Sequence, residues 1–297
     1  MGLNITGTNA PRRNPGPSWG YRFLFIADRV IPEFLFRPLR AAGTWVALAL
    51  MPSQRRHSRE YLRVVLGREP GAFDQFRHFF AVCESLMVKF GVANGRRHTC
   101  VLGPDSDAFG EWLKSGEPVF LGTFHIGNSD LSGFLLAAEA RRVVNIVRMR
   151  VGNSLDTEAL SRRLGNLVRF VWVNEPGELL FALKEASAGA EAVALQCDRP
   201  DHSSRSEAFD FLGAPRLFPF TIYHLSLIFG RPVLLTIGVS MGRDRSVIHA
   251  SDAFRPVTGE DRDAALRRGR THFQAFLRRV ESHLKANPYD WLNFLPL

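Results

Sequence analysis

Cysteine is scarce in this sequence, and its placement argues against sites built from cysteine pairs. The three residues, Cys83, Cys100 and Cys197, stand far apart, and no two have the CxxC spacing of a zinc or redox site. Neither a GxGxxG motif nor a P-loop comes after a predicted strand, which disfavours a nucleotide-binding sheet protein. We therefore expect reduced thiols, no metal ion and no bound cofactor.

The first twenty residues lack the apolar core of a secretory signal and are rich in proline, glycine and asparagine instead. We expect residues 1–18 to be a flexible N-terminus and the chain not to be exported.

Acidic residues are outnumbered, 29 Asp and Glu against 38 Lys and Arg, which gives a formal net charge of +9. A basic balance favours an anionic partner such as nucleic acid, a membrane surface or an acidic cofactor. No helix-turn-helix, zinc-finger or RNP pattern accompanies the charge, so we expect no nucleic-acid partner.

The sequence also lacks an uninterrupted apolar run of the roughly 20 residues that a membrane-spanning helix needs. Residues 19–51 are apolar and aromatic, but arginines interrupt them, and Pro32 and Pro38 divide them. Such segments suit the headgroup region of a bilayer, while the alternative is that the same faces pack on the core. The basic run at residues 55–59 is either a solvated face or a contact for anionic headgroups. We expect residues 19–98 to form a helical, membrane-associating region.

From residue 117 onward, short apolar runs alternate with helical patterns. Strands are predicted at residues 119–124, 143–147, 167–173, 192–196 and 233–239, with helices at 131–140, 157–164, 178–187 and 220–229. An arginine-rich helix is predicted at 262–285. This alternation predicts an α/β domain over residues 99–297, with a mostly parallel central sheet flanked by helices.

His125 and Asp130 lie where the first of these strands gives way to a helix, the edge at which α/β proteins bind ligands. A carboxylate that accepts the proton of one imidazole nitrogen leaves the other nitrogen free as a general base. Asn128 or Ser129 is expected to cap the helix. Each residue alone also has an ordinary structural interpretation, His125 as a core histidine and Asp130 as a helix N-terminal charge.

Together with several later blocks of the chain, this segment resembles the bacterial lysophospholipid acyltransferase superfamily, in particular the late acyltransferases of lipid A biosynthesis. His125 to Asp130 matches the H-x4-(D/E) motif, and four further blocks agree in order. The matching residues are Gly127 and Asn128; Arg148 with Asn153; Asp198 with Arg199; Phe211, Gly213 and Pro215; and the block from Gly230 to Val233. Departures are Ser129 and Asp130 in place of Trp and Glu, and Val147-Arg148-Met149 in place of a YRP triplet.

The resemblance implies an O-acyltransferase that moves a fatty acyl group from a thioester of acyl carrier protein or coenzyme A to a hydroxyl of a lipid acceptor. His125 would be the general base and Asp130 its partner. Backbone amides around Gly127, or the Arg148 side chain, would hold the oxyanion. The expected location is the cytoplasmic face of the bacterial inner membrane.

The other matching residues are expected to bind substrate. Arg148 and Arg199 would bind a phosphate or form surface salt bridges. Asp198 would act on the acceptor or cap a turn. Phe211, Gly213 and Pro215 would shape the pocket, with Gly213 permitting close approach of a ligand. The alternatives are a thioesterase or other hydrolase that uses the same His and Asp, and a non-catalytic membrane-binding protein.

Overall fold

The computed structural model describes residues 18–149, 155–173, 181, 183–185, 192–200, 203 and 205–296. Within these ranges, the structure does not describe the side chains of some helix and strand residues, including Asp130 and Arg148. The predicted helix at 178–187 and the site residue Asn153 fall largely or wholly outside the described residues.

Four helices precede the sheet. They are α1 to α4, at Ser18–Val30, Glu33–Leu50, Pro52–Leu66 and Ala72–Ala93. Pro32 precedes α2, and Pro52 begins α3 at a position where proline costs no hydrogen bond. One side of α1 and α2 packs against α4 through Ala27, Phe36, Met87 and Phe90. No helix in the described ranges combines the length and apolarity needed to cross a bilayer.

The central sheet has seven strands. β1 to β5 span Thr99–Leu102, Phe120–Gly127, Val144–Met149, Val168–Val173 and Ala192–Gln196, and β8 and β9 span Val233–Ser240 and Arg245–Ala250. The order is β1-β9-β8-β2-β5-β3-β4. All neighbours pair in parallel except β8 and β9. The predicted α/β class with a mostly parallel sheet is confirmed.

Helices flank this sheet. α5, α6 and α7 span Asp107–Ser115, Ser129–Glu139 and Leu155–Leu164, and a short 3-10 helix covers Gly165–Leu167. α8 spans Thr221–Phe229 and α9 spans Arg262–Ala286. Neighbouring residues of β2 point to opposite faces. Phe120 and Phe124 join the cluster with α8 and α9, whereas Val119 and Leu121 join the cluster with α5 and α6. β2 is therefore buried on both of its faces.

A two-stranded hairpin was missed by the sequence pattern. β6 (Ser206–Phe211) and β7 (Ala214–Pro219) pair in antiparallel fashion through the turn at Leu212 and Gly213. Both turn residues have positive φ, 52° and 78°, which is typical of a type I′ turn. A side chain at Gly213 would meet no atom within 4 Å. The positive φ explains glycine at this turn, and the expected close approach of a ligand at Gly213 stays a prediction.

The carboxyl end of β2 departs from regular pairing. Between Thr123 and Gly127 the register with β8 shifts, because β2 uses four residue steps where β8 uses two. In this stretch β2 is joined by residues 289–294, which we call the C-terminal strap. Ile126 forms an antiparallel bridge with Trp291 of the strap. The irregular stretch carries His125.

Candidate active site

His125 is held by hydrogen bonds at four of its atoms. Asp198 accepts from both the backbone N and the ring Nδ1 of His125, at 2.7 and 2.8 Å. The Leu292 amide of the strap donates to the His125 carbonyl at 2.7 Å. Gln196 Nε2 lies 3.0 Å from Nε2 of the ring. The imidazole is therefore fixed in both position and orientation.

Asp198 is fully buried and lies just past the end of β5, the strand next to β2 in the sheet. A carboxylate oxygen only accepts hydrogen bonds, so the Nδ1 of His125 must carry the proton that joins them. Nε2 is then the nitrogen without a proton, and its lone pair faces the Gln196 amide. Asn293 of the strap donates to the Asp198 carbonyl at 2.7 Å and holds this loop against β2. The arrangement is that of a general base and its orienting carboxylate.

The carboxylate that contacts His125 Nδ1 belongs to Asp198, for which the sequence indicated substrate binding or a turn cap. Asp130 lies in the first turn of α6, but its side chain is outside the described residues, so its role stays a prediction.

The backbone conformation at position 127 requires a glycine. Its φ is +51°, and a Cβ built at this position would lie 2.6 Å from the Gly238 carbonyl oxygen of β8. Both the positive φ and this approach disfavour any side chain. The Gly127 amide donates to the Asp290 carbonyl at 2.9 Å, and the Asn128 amide donates to the Gly238 carbonyl at 2.8 Å. Internal carbonyls therefore occupy these two amides, and the other predicted oxyanion donor, Arg148, has its side chain outside the described residues, so the oxyanion role stays a prediction.

The predicted helix cap is confirmed in its position but not in its side-chain bond. Asn128 is the N-cap residue of α6 but makes no side-chain capping bond within the described chain. Asn128 is buried, and its side-chain Nδ2 donates to the Ser246 hydroxyl at 3.3 Å. Ser129 donates to the Ile126 carbonyl and accepts from the Gly238 amide at 2.8 Å. These two residues tie the turn after His125 to β8 and β9.

The remaining sequence candidates lie in different parts of the fold. Arg148 lies in β3 two residues beyond Ile146, the last β3 residue paired with β5, and its side chain is outside the description. Arg199 is half-buried beside Asp198. Phe211 is fully buried, with its ring 5.5 Å from that of Trp291 in the strap. Pro215 pairs with Asp210 in the hairpin. Phe211 supports the strap, and Pro215 belongs to the hairpin ladder.

Sequence reasoning missed the strap and Gln196. The strap is anchored by α3 and α4: His78 bonds the Trp291 carbonyl at 2.5 Å, and His57 bonds the Phe294 carbonyl at 3.1 Å. Tyr289 donates to Asp74 at 2.9 Å. The strap has no periodic pattern that would have revealed it. Gln196 had a signal, because it ends a predicted strand two residues before Asp198.

Other groups near the site do not offer an alternative chemistry. Cys197 stands between Gln196 and Asp198, but burial raises the pKa of its thiol well above the ordinary value, which disfavours a thiolate nucleophile. Among the described residues, no three His, Cys, Asp or Glu side chains converge into a set that could hold a metal ion. The histidine and carboxylate pair is thus the chemistry that the described site offers.

No protein-family model matches this chain, and no curated protein matches it.

Proposed function

We propose that this protein is an acyltransferase that works at a membrane surface and moves a fatty acyl group from an acyl thioester to a hydroxyl of a lipid. The observation that carries the proposal is the bond from His125 Nδ1 to the buried Asp198 carboxylate at 2.8 Å. It leaves Nε2 as the base that takes the proton of the acceptor hydroxyl. The donor would be a thioester of acyl carrier protein or coenzyme A, as the resemblance to the lysophospholipid acyltransferase superfamily suggests.

The reaction needs no protein nucleophile. The acceptor oxygen attacks the thioester carbonyl while its proton moves to His125 Nε2, and Asp198 stabilises the imidazolium that forms. When the tetrahedral intermediate collapses, the carbon–sulfur bond breaks and the leaving thiolate takes the proton back from Nε2. Asp198 acts on His125, so it is a positioning residue in this scheme.

The exposed faces of α1 and α2 support a membrane partner. Large apolar side chains at helical spacing are exposed on both helices, at Trp19, Phe23, Ile26 and Val30 of α1 and at Phe34, Leu35, Leu39, Val46 and Leu50 of α2. The opposite sides of both helices pack against α4, whereas these faces are exposed. Arg22, Arg29 and Arg37 are exposed beside the apolar residues, a mixture that suits the boundary between headgroups and acyl chains.

The net charge agrees with this partner. A formal charge of +9 favours anionic lipid, and also acidic acyl carrier protein. On this proposal the protein lies on the cytoplasmic face of the bacterial inner membrane, where acyl thioesters are made.

The test compares the lipids of cells that express the wild-type protein, His125→Ala or no protein. Mass spectrometry of the extracted lipids should show one lipid heavier by one acyl group only with the wild-type protein. Identical lipid profiles in wild-type and His125→Ala cells would overturn the proposal.

A further inference from the structure

The side-chain amide of Gln196 contacts Nε2 of His125, the ring nitrogen that acts as the base in the proposed reaction. Gln196 and Asp198 are two residues apart at the end of β5, and they contact opposite ring nitrogens of His125, at 3.0 and 2.8 Å. Because Nδ1 carries the proton, Nε2 accepts, and Gln196 must present its amide N–H rather than its carbonyl to the ring. An acceptor hydroxyl that reaches Nε2 has to displace this amide.

An amide displaced from Nε2 would lie beside the carbonyl that the acceptor hydroxyl attacks. Acyl transfer develops negative charge on the thioester oxygen, and a hydrogen-bond donor placed at that oxygen is among the largest contributions to such catalysis. The Gly127 and Asn128 amides, which come after His125 in the chain, already donate to internal carbonyls. Gln196 is half-buried and ends a strand that pairs with β2 up to Thr123. The end of a paired strand thus places an amide donor next to Nε2, where the acceptor hydroxyl is expected to react.

We propose that Gln196 is a catalytic residue: its side-chain amide covers Nε2 of His125 in the free protein and donates to the oxyanion once the acceptor hydroxyl has displaced it. This inference rests on the proposed acyl transfer. In the addition step the acceptor oxygen bonds to the carbonyl carbon, the carbonyl electron pair moves to oxygen beside Gln196, and the proton goes to Nε2. In the second step the carbonyl reforms, the carbon–sulfur bond breaks and the thiolate leaves with that proton.

The test measures steady-state acyl transfer by the purified full chain. Myristoyl-acyl carrier protein and myristoyl-coenzyme A serve as donors, and vesicles of total bacterial membrane lipid supply the acceptor. Gln196→Met keeps the side-chain length but removes the donor, and Gln196→Glu keeps the shape but places a carboxylate beside the oxyanion. Gln274→Met is the matched control, because Gln274 lies on α9 and bonds the Asp210 backbone instead of His125.

Loss of one oxyanion donor typically lowers kcat by about 100- to 1000-fold, so we expect that loss for Gln196→Met, with KM changed less than about threefold. Gln196→Glu should lose at least as much, and Gln274→Met should keep wild-type kcat. A phosphonate mimic of the tetrahedral intermediate should bind Gln196→Met at least about tenfold more weakly than wild type. A residue that only supported the fold would not separate kcat and phosphonate binding from KM.

The outcomes separate this inference from the proposed function. If His125→Ala abolishes transfer while Gln196→Met keeps more than about a third of wild-type kcat, or exceeds it, Gln196 is only a cover and the inference is overturned. If His125→Ala transfers as fast as wild type, or wild type transfers nothing, the proposed function fails and the inference falls with it.

Discussion

Asp198 is joined to His125 twice, once at the ring and once at the backbone amide, and its side chain is fully buried. Asp198→Asn keeps the size but offers an amide to Nδ1, which favours the tautomer with the proton on Nε2. By analogy with catalytic triads, kcat should fall by about 10³- to 10⁴-fold.

Asp130→Asn is the matched comparison for this prediction. We expect its kcat to fall less than that of Asp198→Asn in the same assay. The reverse order would return the orienting role to Asp130, as the resemblance implied. Melting curves of both variants would show whether either loss reflects unfolding.

Gly127 and Gly213 both have positive φ, but they differ in their surroundings. A Cβ at Gly127 would lie 2.6 Å from a backbone oxygen, whereas one at Gly213 would meet nothing within 4 Å. Gly213→Ala should lower the free energy of unfolding by about 1–2 kcal/mol, the cost of a left-handed backbone at a residue with a side chain. Gly127→Ala should cost at least about 2 kcal/mol more, since a strand must also shift. Urea unfolding measures both, and equal losses would contradict the predicted clash.

At the scale of elements, the strap links the helical region to the site. It bonds the His125 and Asp198 backbones on one side and His78 of α4 on the other. His78 also bonds Ser58 of α3 at 2.9 Å, and its ring stacks on Phe294 with centroids 4.4 Å apart. His78 thus couples α3, α4 and the strap.

Burial lowers the pKa of His78 to about 4 from its ordinary value of 6.5. Below pH 6.5 the unfolded chain takes up a proton on this residue that the folded protein takes up only near pH 4. The contribution of neutral His78 to the free energy of unfolding is therefore complete above pH 6.5 and is lost as the pH falls toward 4. Burial lowers the pKa of His98 and His272 as well, which adds to the loss with the same sign.

From His78 alone, the free energy of unfolding should drop by about 2 kcal/mol between pH 7 and pH 5. Urea unfolding at the two pH values measures the drop, and His78→Gln, which does not titrate, should show a drop smaller by about that amount. The same drop in the variant and the wild type would contradict a neutral, buried His78.

The sequence predicted the main elements because continuous apolar runs identify buried parallel strands. All five predicted strands are present, and His125 lies at the end of β2 as expected. The pairing of His125 with Asp198 was not predicted. It depends on β5 inserting between β2 and β3, although β3 and β4 separate β2 from β5 along the chain. Chain order alone does not reveal which strand ends become neighbours.

The β6–β7 hairpin and β9 were missed for a different reason. Their strands are not continuous apolar runs and have exposed or half-buried positions among the buried ones. The strap contains a single bridge to β2 and owes its place to side-chain bonds from helices more than 200 residues earlier in the chain. Long-range contacts of this kind leave no local pattern in a sequence.

For the whole molecule, the exposed apolar faces of α1 and α2 predict binding to anionic membranes. Phe23 and Phe34 are 47% and 76% exposed. Phe23→Ser with Phe34→Ser should weaken partitioning into vesicles that contain anionic lipid by at least about tenfold, since each buried aromatic ring contributes about 1.5–3 kcal/mol. Vesicle flotation measures the partitioning, and added salt should weaken it further because the arginines contribute.

Leu217→Ser with Ile228→Ser is the matched control for membrane binding. These residues are also exposed and apolar, at 59% and 63%, but they lie on β7 and α8. The control should bind vesicles as the wild type does. Equal binding by the α1 and α2 variant would show that these faces do not meet the membrane.

On the proposed function, His125 and Asp198 direct the acyl group to a lipid hydroxyl and not to water. The most direct measurement is one reaction in water enriched in heavy oxygen, with myristoyl-acyl carrier protein, total bacterial membrane lipid and purified protein. Mass spectrometry should find a lipid ester that carries the acyl group without heavy oxygen, and neither His125→Ala nor Asp198→Asn should form it. Free myristate carrying one heavy oxygen, with no acylated lipid, would identify a hydrolase and overturn the proposed acyl transfer.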